Sequence, residues 1–149
     1  MMDAIDYKIL HCLKRNAREK ASVISDEINL SVSAVLERIR KMEKSGVIKG
    51  YTVVLDHKQL GNGMTALMEV SLEHPRFYES FTESIKANEN IISCDYLTGD
   101  FDFMLKILTD TSESLEEIHR RIKSLDGVSA TRTHFVLKNV KDEPTVIPR

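Results

Sequence analysis

The chain has 149 residues, 42% of them hydrophobic and 30% charged, enough for one ordinary domain or two small ones, each with its own core. No run approaches the ~18 apolar residues of a membrane span, and MMDAIDYK lacks the basic-then-apolar order of a signal peptide, so the expectation is a cytoplasmic protein folded from its first residues. The net charge of −2 hides an asymmetry: residues 1–50 carry ten Lys or Arg against seven Asp or Glu, and the remainder carries eleven against sixteen. A basic segment favours nucleic acid and an acidic one repels it, so the two halves are expected to meet different partners.

In chain order, Ile5, Ile9, Leu10, Leu13 and Ala17 share one face of a helix beginning near Asp3. Val23, Ile24 and Ile28 mark a short second helix ended by Asn29. Ser31 is an N-cap for a third, in which Val32, Val35, Ile39 and Met42 recur at helical spacing and Gly46 sits where a helix stops. Three helices in fewer than fifty residues, the last two barely separated, predict a helix-turn-helix with the third helix in the major groove. With the apolar stripe inward, Ser33, Ala34, Glu37, Arg40, Lys41 and Lys44 point outward: small residues first, near base edges, and cations after, where phosphates run. The bland alternative is a helical bundle with a merely solvated outer face. Val47–Leu55 is rich in β-branched residues and predicts a wing or an outgoing strand.

The second half changes rhythm. Met64–Glu73 alternates as a strand with Ala66, Met68, Val70 and Leu72 on one face. Pro75 opens a helix striped by Phe77, Phe81 and Ile85. Ile91–Leu97 is a strand, Thr98–Asp100 a turn and Phe101–Leu108 a strand. Leu115, Ile118, Ile122 and Leu125 mark another helix, with Ser114 and Glu117 at capping-box spacing and Gly127 past its end; Val128–Lys138 closes as a strand. The order β-α-β-β-α-β is the ferredoxin-like split motif. Its helices cover one face of the sheet, so Leu67, Met104, Leu108 and Val136 on the other face call for a second chain, hence a homodimer.

IDYKIL near the start, Asn16-Ala17-Arg18, Leu30-Ser31 with Arg38, Gly46-Val47-Ile48-Lys49-Gly50-Tyr51 and Gly99-Asp100-Phe101-Asp102 together resemble the Lrp/AsnC (feast/famine) transcriptional regulators over roughly residues 3–140. The resemblance implies an α+β chain: a winged-helix-like helix-turn-helix DNA-binding domain over 1–50, a hinge strand and linker over 51–62, a ferredoxin-like RAM domain over 63–140 and a tail over 141–149. It implies double-stranded DNA as partner, with Ser31 and Arg38 joining the outward residues above as DNA-binding positions. It also implies a homodimer, tetramer or octamer, and an amino-acid effector bound between RAM domains.

A free amino acid offers an ammonium and a carboxylate. A Gly-Asp turn meets both, because Gly99 lets backbone N–H groups approach and Asp100 or Asp102 supplies an anion. The resemblance places Thr98, Asp126, Gly127, Thr131 and Thr133 close to that turn. On the opposite reading Asp100 fixes the hairpin and Asp102 points to solvent from an alternating strand. Leu36 and Glu37 depart from the family's basic or polar pattern, making the reading surface less cationic; Glu37 is suited either to accept from cytosine N4 or simply to repel phosphate. DEPTVIPR reads as an extended or disordered arm.

Two other readings use the same architecture: a tetrapyrrole-pathway enzyme of the sirohaem decarboxylase type, and an effector-independent nucleoid-organising protein. Against an enzyme, His11, His57, His74, His119 and His134 are scattered without metal spacing, no nucleophile has a nearby partner, and neither cofactor nor metal is implied. Cys12 and Cys94 belong to no cluster and read as packing residues.

Overall fold

The structure is a computed structural model and describes residues 2–148. It divides into two compact units, one gathering the chain up to Val54 with the segment from Lys141 onward, the other Leu55–Val140.

The first unit holds helices α1 (Ala4–Arg15), α2 (Ala21–Ile28) and α3 (Val32–Lys44). α1 starts where it does because Asp3 caps it: its Oδ1 accepts from the N–H groups of Ile5 and Asp6 at 2.9 and 3.0 Å, and Asp6 reaches back to the Asp3 N–H at 3.0 Å. α2 stops at Asn29, which adopts the left-handed conformation (φ 55°) that asparagine tolerates better than most residues. Three residues later α3 begins, with the Ser31 hydroxyl accepting from Ala34 N–H at 3.3 Å. Ile9, Cys12, Ile24, Val35 and Met42 form the core. Two expectations fail here. α1 ends before Ala17, which is exposed, and Val32 is 42% exposed rather than inward. Val32 is the first residue of its helix, one turn before the positions that reach the core.

No described strand spans Val47–Leu55. Val53 and Val54 are exposed there, which is the condition of β-branched backbone without a neighbouring strand to pair with. The tail carries no helix or strand among its described residues, and the Lys14 Nζ lies 3.1 Å from Glu143 Oε2.

The second unit is a four-stranded antiparallel sheet of β1 (Met64–Leu72), β2 (Ile91–Tyr96), β3 (Phe103–Thr109) and β4 (Val128–Phe135), in the order β2-β3-β1-β4. Helices α4 (Tyr78–Lys86), entered through a 3-10 turn at Pro75–Phe77, and α5 (Ser112–Lys123) pack on one face. Alternation puts Ala66, Met68, Val70, Phe103, Leu105 and Ile107 beneath Phe81, Ile85, Ile118 and Ile122. Full burial of each large side chain contributes about 1.5–3 kcal/mol. The N-cap of α5 is Thr111, whose hydroxyl accepts from Ser114 N–H at 3.1 Å, so Ser114 lies inside the helix rather than capping it.

The other face of the sheet is less apolar than its sequence suggests. Register places Glu69 between Met104 and Arg132, and Leu67 between Lys106 and His134. Glu69 Oε1 lies 2.9 Å from His134 Nε2, and its Oε2 lies 3.7 Å from Arg132 Nη1, so a polar cluster interrupts the hydrophobic patch. Leu108, expected on that open face, is buried.

Candidate DNA-reading helix and effector turn

On α3 the buried Val35 and Met42 define the inward side, and Ser33, Glu37, Arg40, Lys41 and Lys44 are exposed. Among the described residues no ion pair engages Glu37, Arg40, Lys41 or Lys44. Their charges are therefore available to a partner. Ala34 is half-buried, and the Ser31 hydroxyl is committed to the cap, with Ser33 Oγ at 3.2 Å.

Arg38 is placed differently from the other cations. Its Nη1 donates to Asp3 Oδ2 and to Asp6 Oδ1, both at 2.8 Å, and only 29% of its side chain is exposed. It ties α3 to the start of α1. The amide of Asp6 and then the Arg38 guanidinium hold the Asp3 carboxyl below the usual carboxylate range, and the two carboxylates push the Arg38 guanidinium still higher. Arg38, a DNA-binding position by resemblance, is engaged within the chain by this clamp, which joins residues 35 and 32 positions apart. No local pattern announces such a pair.

In the second unit, Thr98, Gly99 and Asp100 are exposed at the tip between β2 and β3. Gly99 has φ +125°, which L side chains rarely adopt, and a Cβ there would meet nothing within 4 Å. Glycine is required by the backbone conformation, and the turn is open to an incoming group. Tyr96 flanks it, 63% exposed, with its ring 5.1 Å from Tyr78 and 5.0 Å from Phe103. This aromatic wall was not foreseen, although strand alternation puts Tyr96 opposite Phe103.

Asp102 does not point to solvent from an alternating strand; it is half-buried and its carboxylate is engaged within the chain. Its Oδ2 accepts from Leu72 N–H at 2.7 Å, its own N–H donates to Val70 O at 3.0 Å, and its carbonyl accepts from Leu97 N–H at 2.8 Å. β3 begins only at Phe103, so Leu72 N–H lies beyond the last strand partner and the carboxylate takes that partner's place. Asp102 fastens the turn to the end of β1.

Gly127 has φ +82°, and a Cβ on it would lie 2.1 Å from Phe77 Cγ; its carbonyl accepts from Glu73 N–H at 2.8 Å. Its role is close packing. Asp126 beside it is exposed. Through Leu72 and Glu73, the 98–102 turn and the 126–127 corner sit at one end of the sheet. Thr131 and Thr133 do not join them. Their hydroxyls face α5, at 3.3 Å from His119 Nε2 and 3.4 Å from His119 Nδ1. His119, one of the histidines that the sequence leaves without a metal-ligand pattern, is half-buried beside Ile118 on α5. A shallow cavity of about 470 Å3 is lined by Glu116, His119, Arg120, Lys123 and Ser124 and does not include the turn. Within the chain the turn is open to solvent rather than enclosed. Cys12 is buried as expected, but Cys94 is exposed. Among the described residues no group of three His, Cys, Asp or Glu side chains is arranged to hold a metal, and no described helix is long and apolar enough to cross a membrane.

Comparison with known proteins gives these positions a context. The sequence profile of the Lrp/AsnC ligand binding domain matches residues 65–146, and that of a winged helix-turn-helix DNA-binding domain matches residues 2–49. The leucine-responsive regulatory protein of Haemophilus influenzae is 36% identical over 94% of this chain and 86% of its own length. An uncharacterised HTH-type transcriptional regulator of Pyrococcus abyssi is 33% identical over 96% and 97%. Among solved structures, a transcriptional regulator of Neisseria meningitidis in complex with L-Met superposes with a TM-score of 0.93 at 27% identity, over 98% of this chain and 96% of that one. LrpC of Bacillus subtilis gives 0.86 at 30% identity, over 95% and 98%.

Proposed function

The chain belongs to the Lrp/AsnC family of transcriptional regulators, with a winged helix-turn-helix followed by a ligand-binding domain, and from that premise we propose how its residues divide the work. α3 enters the major groove. Ser33 and Glu37 face base edges, and Arg40, Lys41 and Lys44 neutralise phosphates, with Ser31 and Ala34 shaping the start of the helix and Arg38 positioning it. The observation that carries this reading is the row of exposed side chains on α3, with no ion pair to any described residue at Glu37, Arg40, Lys41 or Lys44, set opposite a buried Val35 and Met42.

The ligand-binding unit takes an amino acid or a close relative of one at the Thr98–Asp100 turn. Asp100 accepts the ammonium, the backbone N–H groups opened by Gly99 meet the carboxylate, and Tyr96 lies beside the ligand side chain. The L-Met complex of the Neisseria relative supports an amino acid as the class of ligand. Because the turn is exposed in one chain, the site is completed by a second copy, in a homodimer or a larger assembly. Leu67 and Met104 lie on the uncovered sheet face that supports the pairing of chains. The protein acts in the cytoplasm, where operator DNA is found, and it is not an enzyme; the relatives above carry the names of regulators.

A two-part experiment tests this. Selection from a random duplex library with the full chain should enrich a palindromic site, and a thermal-shift screen against the twenty amino acids should single out one or a few, since a ligand that binds only the folded state raises its stability. Library recovery without an enriched motif, or a flat amino-acid screen, would overturn the corresponding half.

A further inference from the structure

Two apolar side chains on α3 are not absorbed by the fold. Val32 and Leu36 are 42% and 40% exposed and neither belongs to the core built from Ile9, Cys12, Ile24, Val35 and Met42. They are one helical turn apart, so they stand one above the other on the same face. At 100° per residue that face adjoins the one carrying Ser33 and Arg40, on the side away from Met42. The helix is thus graded along its length. Its N-terminal half presents Val32, Ser33, Leu36 and Glu37 to solvent, and its C-terminal half presents Arg40, Lys41 and Lys44 together with Glu43, whose Oε1 accepts from the Tyr51 hydroxyl at 2.9 Å.

In the major groove most base-edge groups are hydrogen-bond donors or acceptors, and the apolar one is the 5-methyl of thymine. An apolar side chain held against any other edge strips water from a polar group without replacing its hydrogen bond. We propose that Val32 and Leu36 are thymine readers, each packing on a 5-methyl group and so requiring thymine at fixed steps of the half-site. The inference rests on the assignment of α3 as the DNA-reading helix. The residues beside the pair favour a duplex over a protein as occupant: no described residue forms an ion pair with Arg40, Lys41 or Lys44, and a protein interface would have to desolvate these cations, whereas phosphates neutralise them.

The test uses the full chain and the duplex recovered by library selection, with thymidine replaced by deoxyuridine one position at a time. That exchange removes only the methyl group and leaves base pairing intact. Burying one methyl-sized group corresponds to about fourfold in affinity, so at least one thymidine position in each half-site should lose about that much on exchange. Leu36→Ala or Val32→Ala should abolish the difference at its own position, binding dT and dU duplexes equally, while the rest of the profile is unchanged. Equal affinity for dT and dU duplexes at every position overturns the proposal, as does a uracil penalty that survives both variants. A Leu36→Ala protein that changes its mass by light scattering while keeping the wild-type uracil profile overturns it in favour of a protein interface. If the wild-type chain recovers no duplex at all, the assignment of α3 falls first, and this inference with it.

Discussion

Asp102 and Leu72 are joined by a 2.7 Å hydrogen bond from a backbone N–H to a carboxylate, and this bond holds the proposed effector turn to the end of β1. Both residues are half-buried, so losing the acceptor strands a donor that water reaches poorly. Asp102→Ala is expected to cost about 1–3 kcal/mol in chemical denaturation and to speed hydrogen exchange at the Leu72 amide. Asp102→Asn keeps an acceptor oxygen and should lose less. If Asp102→Ala leaves both stability and the Leu72 exchange rate unchanged, the clamp is not a structural element.

Gly127 and Phe77 should be coupled. Gly127→Ala both forces an L residue to φ +82° and drives a Cβ to 2.1 Å from Phe77 Cγ, so a loss on the order of 1–3 kcal/mol is expected. Adding Phe77→Gly, which also takes away the Phe77 Cβ that would lie 2.6 Å from the new Cβ, removes the overlap but not the strain. A double-mutant cycle should therefore give a favourable interaction energy of about 0.5 kcal/mol or more, and strict additivity would show that the backbone conformation alone explains the cost.

The Arg38 clamp predicts a pH dependence. The Asp3 carboxyl is held below its ordinary value, which means the folded state binds its proton less readily than the unfolded chain does. The stabilisation is complete above the unfolded carboxylate pKa of about 3.9 and is lost as pH falls through the lower folded value. Arg38→Ala should lower the melting temperature of the helical unit at neutral pH and weaken its dependence on pH below about 4. Identical acid profiles for the variant and the wild type would show that Arg38 contributes nothing there.

For the effector site, Asp100→Ala should remove the amino-acid-induced thermal shift and leave DNA affinity of the free protein intact. Loss of a hydrogen bond to a charged group corresponds to about 1.5–3 kcal/mol, or ten- to a hundredfold in ligand affinity. A lower melting temperature without ligand, together with unchanged ligand affinity, would instead make Asp100 a turn-former.

These residues also show what the sequence alone could and could not reveal. The Ser31 cap and the Asn29 stop are readable because each depends on a hydroxyl or a backbone preference acting within a few residues. The strand faces of β1 and β3 are readable because alternation is periodic. Thr111 and Ser114 could each have capped α5, and only the helix start decides between them. Arg38 with Asp3 and Asp102 with Leu72 join residues some thirty positions apart, and so depend on the assembled fold. The segment after α3 has strand composition without a strand, because pairing needs a neighbour and no described strand lies beside it. Thr131 and Thr133 were grouped with the turn by resemblance, but β4 aims them at His119.

The most direct test of the whole account is the salt dependence of binding to the selected duplex by the wild type and by an Arg40/Lys41/Lys44→Ala triple variant. Each phosphate contact contributes about 0.9 to the slope of log affinity against log salt. The triple variant, with its helical content confirmed, should bind more weakly at low salt, with a slope shallower by roughly two to three. An unchanged slope with unchanged affinity would contradict the placement of α3 on DNA.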